Sequence, residues 1–224
     1  MTRFAFILFL IASTVAAPAQ TPPSQAEIAA YEGLFKAAHD GDVAEVQALV
    51  SSGADLNARD PKGRAPVHIA AFASNDDALR ALAVAGADMN ALDGQAYDVV
   101  TIAVVADDPA LMSQAIELGN DPGLMTSPYD GTALIAAAHL GHVKVVQRLI
   151  DAGAPLDHVN NLHWTAVIEA VVLGDGGENH QAVLDALLSA GADRTLADRI
   201  GITPLQHAER RGFAEMAARL GQPD

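Results

Sequence analysis

Apolar residues recur along the chain at helical spacing, in segments that each end at a glycine. In one segment Val143, Val146, Leu149 and Ile150 fall on one face of a helix. The glycine that follows supplies the left-handed turn at which helices commonly end. The closing tripeptide recurs at spacings of 33, 33, 34 and 38 residues, as Gly53-Ala54-Asp55, Gly86-Ala87-Asp88, Gly119-Asn120-Asp121, Gly153-Ala154-Pro155 and Gly191-Ala192-Asp193. A repeat of this period predicts a solenoid of stacked units.

A second motif follows each of these glycines after twelve or thirteen residues. It reads A-P-V-H-I-A at 65, D-V-V-T-I-A at 98, T-A-L-I-A-A at 132, T-A-V-I-E-A at 165 and T-P-L-Q-H-A at 203. Its first residue, mostly Thr or Asp, is suited to cap a short helix, and a later glycine or polar residue predicts a turn into a second helix. Because two short helices bury too little apolar surface to be stable alone, we expect successive units to stack.

The two motifs, in their shared register, resemble the ankyrin repeat, whose signature T-P-L-H-x-A is nearly met at 65–70 and 203–208. The resemblance implies an all-α solenoid of about six helix-turn-helix units, with β-hairpin-like fingers and a concave face. The predicted units span about residues 30–60, 61–93, 94–126, 127–160, 161–198 and 199–224. The third unit departs from the pattern, because D-V-V-T replaces T-P-L-H and Asp107 replaces the glycine between the helices.

The first nineteen residues have the pattern of a secretory signal peptide. Arg3 precedes an apolar run from Phe4 to about Ala16, and an A-x-A cleavage pattern follows. We predict a signal peptide at 1–19, a lead-in segment at 20–29 and a repeat domain at 30–224; an uncleaved anchor is the alternative. The stretch from Tyr129 to Ala208 also resembles exported bacterial ankyrin proteins, which implies a periplasmic location, or secretion as the alternative.

The chain combines a high apolar content with a strongly acidic charge. Half of its residues are apolar, which excludes a disordered chain. Its 28 acidic and 13 basic residues give a net charge of −15, and signal cleavage removes only one of the basic residues. This charge disfavours nucleic acid, anionic lipid and membrane insertion, and it suits either a basic partner protein or simple solubility. The sequence has no cysteine, which excludes disulfides and a thiol nucleophile.

The glycine-rich stretch V-L-G-D-G-G-E-N-H-Q-A-V, at 172–183, has the composition of a phosphate-binding loop. The capping motif and the closing glycine of this unit are 26 residues apart, against 21 in the three units before it, and the excess falls at 175–179. Lys is absent, a helix precedes the stretch, and Asp175 and Glu178 would repel phosphate. We interpret the stretch as an insertion between two helices, either a longer lip or tolerated extra length.

Histidines are the first candidate chemical groups. His139 and His142 form H-x-x-H, and His158 and His163 lie on the neighbouring finger. His68 and His142 occupy structural positions of the repeat, so we predict that the histidines are bonded locally, with zinc binding as the alternative.

Glu169 and His207 occupy the same position in adjacent units. We predict that they pair across the stack and hold the last unit in register; acid–base catalysis is the alternative. The sequence contains no G-x-S-x-G, H-E-x-x-H or metal-carboxylate loop. We therefore predict a protein with no enzymatic activity, metal or cofactor. The alternative is a metal- or small-molecule-dependent activity at His139, His163 and Glu169.

The resemblance implies that a partner protein binds at the fingers and at the ends of the first helices. The predicted partner-binding residues are Arg64, Phe72, Tyr97, Val105, Leu124, Met125, Tyr129, His139, Leu140, Trp164, Val172 and Leu173. We favour exposure of Trp164 over a core position. The long finger that carries Leu124, Met125 and Tyr129 either grips the partner or forms a rigid turn. The expected function is that of a monomeric interaction module of the bacterial envelope; a secreted host-binding effector is the alternative.

Overall fold

The computed structural model describes residues 20–222, so the predicted signal peptide at 1–19 lies outside the described residues. Within this range the chain forms thirteen helices and one two-stranded ladder. Their bounds are α1 Gln25–Ala29, α2 Gly33–Asp40, α3 Val43–Ser51, α4 Pro66–Phe72, α5 Asp76–Val84, α6 Val99–Val105, α7 Pro109–Glu117, β1 Met125–Thr126, β2 Gly131–Thr132, α8 Ala133–Leu140, α9 Val143–Asp151, α10 Ala166–Val172, α11 Glu178–Ser189, α12 Pro204–Arg211 and α13 Ala214–Leu220.

One pair of helices lies in each of the six predicted units, from α2 and α3 to α12 and α13, and α1 precedes them. The first helices of the units, here called the inner helices, pack against one another in chain order. The second helices, here called the outer helices, form a neighbouring row; α5 and α7 are joined by a hydrogen bond from Gln114 Nε2 to the Asp76 carbonyl, 2.7 Å long. This arrangement confirms the predicted all-α solenoid.

An alanine column allows the inner helices to approach closely. One buried alanine recurs at the same position of every unit: Ala37, Ala70, Ala103, Ala137, Ala170 and Ala208. The outer helices complete the core with larger residues such as Leu82, Leu149 and Leu184, which are fully buried. Burial of these side chains against the neighbouring unit supplies the stability that one unit lacks.

Left-handed residues turn each inner helix into its outer helix. Gly141 and Gly212 take this conformation, with φ of 73° and 71°. Ser74 and Asp107 adopt it in the second and third units, with φ of 54° and 51°. The turn is thus preserved in the divergent third unit, at the strain of a left-handed residue that is not glycine.

Four of the five fingers are formed by Asx turns, in which a side chain bonds to nearby backbone, and one contains paired strands. The paired strands β1 and β2 lie in the long finger. In the other four fingers an Asp or Asn side chain accepts hydrogen bonds from the backbone N–H groups two and four residues later; these residues are Asp60, Asp93, Asn160 and Asp198. Such Asx turns hold a tight reversal without a long ladder.

Backbone hydrogen bonds also join successive fingers. The Lys62 carbonyl accepts from the N–H of Gly94, 2.9 Å away, and the Tyr129 carbonyl accepts from the N–H of Asn161, also 2.9 Å away. A Cβ on Gly94 would lie 2.4 Å from the Lys62 oxygen, so this approach requires glycine. The first four fingers are therefore fixed to one another by backbone hydrogen bonds, and the last finger is joined to the fourth by the Arg199 guanidinium, which donates to the Asn161 carbonyl.

The inserted residues 175–179 are divided between a turn and a helix. Glu178 and Asn179 begin α11, which has twelve residues, whereas α3, α5, α7 and α9 each have nine. Gly176 lies against the Phe213 ring, where a Cβ would come within 2.6 Å of Cδ1. The predicted insertion between two helices is thus partly a helical extension, and its turn packs on the last unit.

Candidate partner-binding surface

The C-terminal ends of three successive inner helices present a row of exposed apolar side chains. Val105, Leu140 and Leu173 are 44%, 41% and 39% exposed. Val172 lies beside them, half-buried, and Phe72 extends the row into the second unit, also half-buried. Since α6, α8 and α10 pack side by side, these residues lie on neighbouring helix ends; they are here called the apolar row.

Two of the predicted finger residues are buried. Arg64 is only 2% exposed and Tyr97 only 7%. The Arg64 guanidinium donates from Nε to Asp60 Oδ2, 2.7 Å away, and from Nη2 to Glu27 Oε1, 2.6 Å away. Burial raises the pKa of the Tyr97 phenol. Their predicted exposure is wrong, because the Asx turn directs the fourth residue after the Asp inward. Trp164, predicted to be exposed, is half-buried.

The sequence interpretation missed the residues that do lie at the finger tips. In three fingers the second residue after the turn-forming Asp or Asn is exposed; these residues are Lys62, Leu162 and Ile200. Val159 is also exposed, on the same finger as Leu162. The recurring Asp or Asn was the available signal, because an Asx turn places the second following residue at its tip. The tips are thus charged at the N-terminal end and apolar at the C-terminal end.

The long finger combines a fixed backbone with one presented side chain. Met125 is exposed, whereas Leu124 and Tyr129 are half-buried. The N–H of Ser127 donates to the Ala96 carbonyl, 2.7 Å away, and Tyr129 accepts from the following finger. The finger is therefore a rigid turn pinned on both sides, and Met125 is its available contact.

Glu169 lies beneath His139 beside the apolar row. Glu169 is 5% exposed and its Oε1 accepts from Asn160 Nδ2 at 3.2 Å. Among residues 20–222 no donor reaches its Oε2, and His139 Nδ1 lies 3.9 Å from this oxygen. Burial raises the pKa of Glu169 to about 7, against a lowering by Asn160. Burial, together with the neighbouring His180, lowers the pKa of His139.

The predicted pairing of Glu169 with His207 is wrong. His207 Nε2 lies 2.9 Å from Asp198 Oδ2, on the finger that directly precedes its helix. Asn160 and Glu169 make the corresponding contact in the fifth unit, also nine residues apart. The equivalent inner-helix positions therefore bond back to their own fingers and not to each other.

The other histidines bond mainly to backbone. His68 accepts from the Ala65 N–H at Nδ1 and donates from Nε2 to the Ala91 carbonyl, 2.9 Å away. His142 and His158 bond to carbonyls of the preceding unit and finger. These three histidines therefore have the predicted structural roles, but His142, His158 and the Nε2 of His68 bond to neighbouring units and fingers and not locally.

His163 is exposed, with a left-handed φ of 64°. Within the described range, no three His, Asp or Glu side chains are grouped so that they could hold a metal ion. His139 and Glu169 do approach each other, but the third member of the alternative site, His163, does not complete a metal site with them.

A family model described as ankyrin repeats (three copies) matches residues 10–93 and 100–198. The chain belongs to the ankyrin repeat family. YahD of Escherichia coli (strain K12), an ankyrin repeat protein by name, is 33% identical over 185 residues, covering 82% of this chain and 92% of YahD.

Solved structures agree with this assignment. An ankyrin repeat domain from Acinetobacter baumannii AYE is 41% identical with a TM-score of 0.77, over 84% of this chain and 95% of that chain. A chain in the complex of a predatory endopeptidase from Bdellovibrio bacteriovorus with an immunity protein is 25% identical with a TM-score of 0.70, over 87% of this chain and 99% of that chain.

Ankyrin repeat domains mediate protein–protein interaction, and the fold is typically a non-enzymatic interaction module. None of the helices within residues 20–222 is both long and apolar enough to cross a bilayer. The apolar row and the finger tips are therefore the surfaces of this ankyrin repeat protein to consider for partner binding.

Proposed function

We propose that this ankyrin repeat protein is a non-enzymatic interaction module of the bacterial periplasm, which binds another protein through the apolar row and the adjacent C-terminal finger tips. The observation that carries the proposal is the exposure of Val105, Leu140 and Leu173, each about two fifths exposed, at the ends of three inner helices that pack in succession. Exposed apolar strips with polar borders are common at protein interfaces.

The rigidity of the scaffold favours binding at this surface. The first four fingers are joined by backbone hydrogen bonds, the last finger is joined to the fourth by the Arg199 side chain, and the inner helices are close-packed on alanine. A surface that is already ordered loses little conformational entropy on association. A few apolar anchors at the centre of an interface then contribute most of the affinity.

The acidic charge of the chain suits a partner with basic groups, with Arg211 as a cation beside Val172 at the C-terminal end of the row. Asp107 and Asp175 follow the exposed ends of α6 and α10, and both side chains are exposed. The whole chain has 28 acidic residues against 13 basic ones. A basic partner would be attracted over a distance and then held by apolar contacts.

The location and the class of partner rest on the N-terminal pattern and on the comparisons. Residues 1–19 have the composition of a secretory signal. The similarity to a chain of the endopeptidase–immunity protein complex supports a protein partner. Fractionation tests the location: we expect the mature protein in the periplasmic fraction, whereas release into the medium would favour the secreted alternative.

Crosslinked capture from the native envelope tests the surface. Leu140→Ser combined with Leu173→Ser should remove most of the captured partner, because it replaces the centre of the row with polar side chains. Val84→Ser is the matched control, since Val84 is 81% exposed but lies on the outer helix α5. The proposal is contradicted if the double variant keeps its helical content and still captures the partner, or if the control loses it equally.

A further inference from the structure

Glu169 is an incompletely satisfied carboxyl on the inner-helix face. It is 95% buried, one of its oxygens accepts a single hydrogen bond from Asn160, and the other has no hydrogen-bond donor within residues 20–222. Buried carboxyl oxygens normally have partners, because an unpaired one loses its hydration without compensation. A bare oxygen at this depth marks a position where a donor from outside the chain would be stabilising.

No cationic side chain of the described chain takes that place. His139, from α8, is 3.9 Å from Oε2, beyond hydrogen-bond length. From α12, His207 is engaged by Asp198, and Arg211 donates to the carbonyls of residues 172 and 174. The neighbouring charged groups therefore leave the carboxyl available.

His139 is the movable neighbour of this oxygen. Its side chain is 48% exposed, which leaves it free to change rotamer at the surface. Its neighbour Leu140 belongs to the apolar row, and Val172 lies three residues beyond Glu169 on α10 and so on the same face. Displacement of the imidazole would open a path to Oε2 with apolar flanks.

We propose that Glu169 is an anchoring subsite for an arginine side chain of the bound protein, an inference that rests on the proposed function of the apolar row. The guanidinium displaces the His139 ring and donates to the bare Oε2. Arginine suits the site because its planar head pairs with carboxylates and tolerates desolvation better than an ammonium group does. The partner segment would therefore carry an arginine flanked by apolar residues.

The test titrates the mature full chain with N-acetyl-L-arginine amide and with its neutral analogue, N-acetyl-L-citrulline amide, while NMR follows the side-chain carboxyl carbon of Glu169. We expect the arginine compound to bind at least five-fold more tightly at pH 8. At saturation it should lower the titration midpoint of this carboxyl by at least one pH unit, because a cation favours the ionised form. Equal affinities for the two compounds would overturn the proposal.

Two variants remove the alternative that the cation merely binds an acidic protein. Glu169→Gln should abolish the preference for arginine, whereas Glu178→Gln, which removes one exposed carboxylate elsewhere, should keep it. His139→Ala uncovers the carboxyl without altering it and should tighten binding of the arginine compound two-fold or more. A preference that survives in Glu169→Gln, or that disappears in His139→Ala, would also overturn the proposal.

Failure of this subsite is distinguishable from failure of the proposed surface. The arginine compound reports on Glu169 without any partner, whereas partner capture reports on Leu140 and Leu173. Loss of capture in the double leucine variant, without an arginine preference, would overturn the subsite alone. An arginine preference with undiminished capture would overturn the apolar row as the partner surface.

Discussion

The fifth and sixth units fill the same two positions of the repeat in opposite ways. In the sixth, Asp198 and His207 form a pair at 2.9 Å that satisfies both groups. In the fifth, Asn160 donates to one oxygen of Glu169, and the other oxygen has no hydrogen-bond donor among residues 20–222. Each pair joins a finger turn to the inner helix nine residues later. The scaffold thus sets the contact but not its charge, and an incomplete contact leaves a group free for a partner.

The finger that begins at Asp60, here called the closed finger, is the one in which the turn-forming carboxylate has the most side-chain partners. Asp60 Oδ2 accepts from Arg64 Nε at 2.7 Å and from the Tyr31 hydroxyl at 3.1 Å, and Arg64 also reaches Glu27 in α1. Hydrogen bonds from Ser24, with Arg64 adding to them, lower the pKa of Glu27 to about 2. In the fingers that begin at Asp60 and Asp198, each carboxylate therefore has a side-chain partner. The finger that begins at Asn160, here called the open finger, leaves one oxygen of Glu169 without a donor among residues 20–222.

The largest expected effect on stability comes from removing the cation of the closed finger. Arg64→Met keeps the apolar stem but removes the cation between Glu27 and Asp60, and so leaves the buried Asp60 carboxylate without its ion-pair partner. We expect the free energy of unfolding at pH 7 to fall by about 3 kcal/mol, as is typical when one member of a buried ion pair is removed. Chemical denaturation measures it.

Lys62→Met is the matched control for that change, because Lys62 is exposed at the tip of the same finger. It should alter the free energy of unfolding by less than about 0.5 kcal/mol. Equal effects of the two substitutions would show that the network around Arg64 is not a stabilising closure.

A second, smaller effect on stability comes from replacing the carboxyl of Glu169 with a neutral amide. Burial raises the pKa of Glu169 from 4.5 to about 7, so the folded state binds a proton more tightly than the unfolded state. The stability contributed by the neutral form is complete below pH 4.5 and is lost as pH rises to about 7 and above. Glu169→Gln should therefore raise the free energy of unfolding at pH 8 by at most about 3 kcal/mol.

The same substitution should have almost no effect at pH 4, since both side chains are then neutral. Denaturation curves at pH 4 and pH 8 measure the difference. Asp198 responds in the opposite sense. Burial raises its pKa, but hydrogen bonds from the Ile202 N–H and from His207 outweigh burial, so the pKa lies below its ordinary value. The stability that the ionised Asp198 contributes is therefore lost only in acid. A Glu169→Gln variant that is less stable at pH 8 would contradict the open-finger interpretation.

The repeat itself was predictable because its cause is local. The closing glycines and capping residues act within a few positions of the chain, so they indicate where helices begin and end without knowledge of the fold. The alanine column follows from the same register. Similarly, His68 could be assigned a structural role because its partners, the Ala65 N–H and the Ala91 carbonyl, are set by the repeat.

Side-chain direction on the fingers was not predictable in the same way. Arg64 and Tyr97 turn inward because an Asx turn precedes them, and the sequence interpretation did not recognise that turn. Glu169 and His207 were paired along the stack because they share a position, whereas each bonds to the finger that directly precedes its helix. Both errors concern which of two nearby surfaces a side chain faces, which depends on tertiary geometry and not on periodicity.

The smallest expected effect on stability comes from replacing the Asn160–Glu169 pair with the Asp–His pair found at the matching positions of the last finger. Asn160→Asp alone places a second carboxylate next to Glu169 Oε1, which is 3.2 Å from Asn160 Nδ2, and should destabilise the protein at pH 8 by like-charge repulsion. Glu169→His alone should leave an imidazole facing an amide. Together the two substitutions recreate the Asp–His contact, so the double variant should be more stable than the sum of the single effects predicts, by about 1–2 kcal/mol. A double-mutant cycle by denaturation at pH 7 measures this coupling; additive effects would mean that the two units differ in backbone geometry and not only in the charge at matching positions.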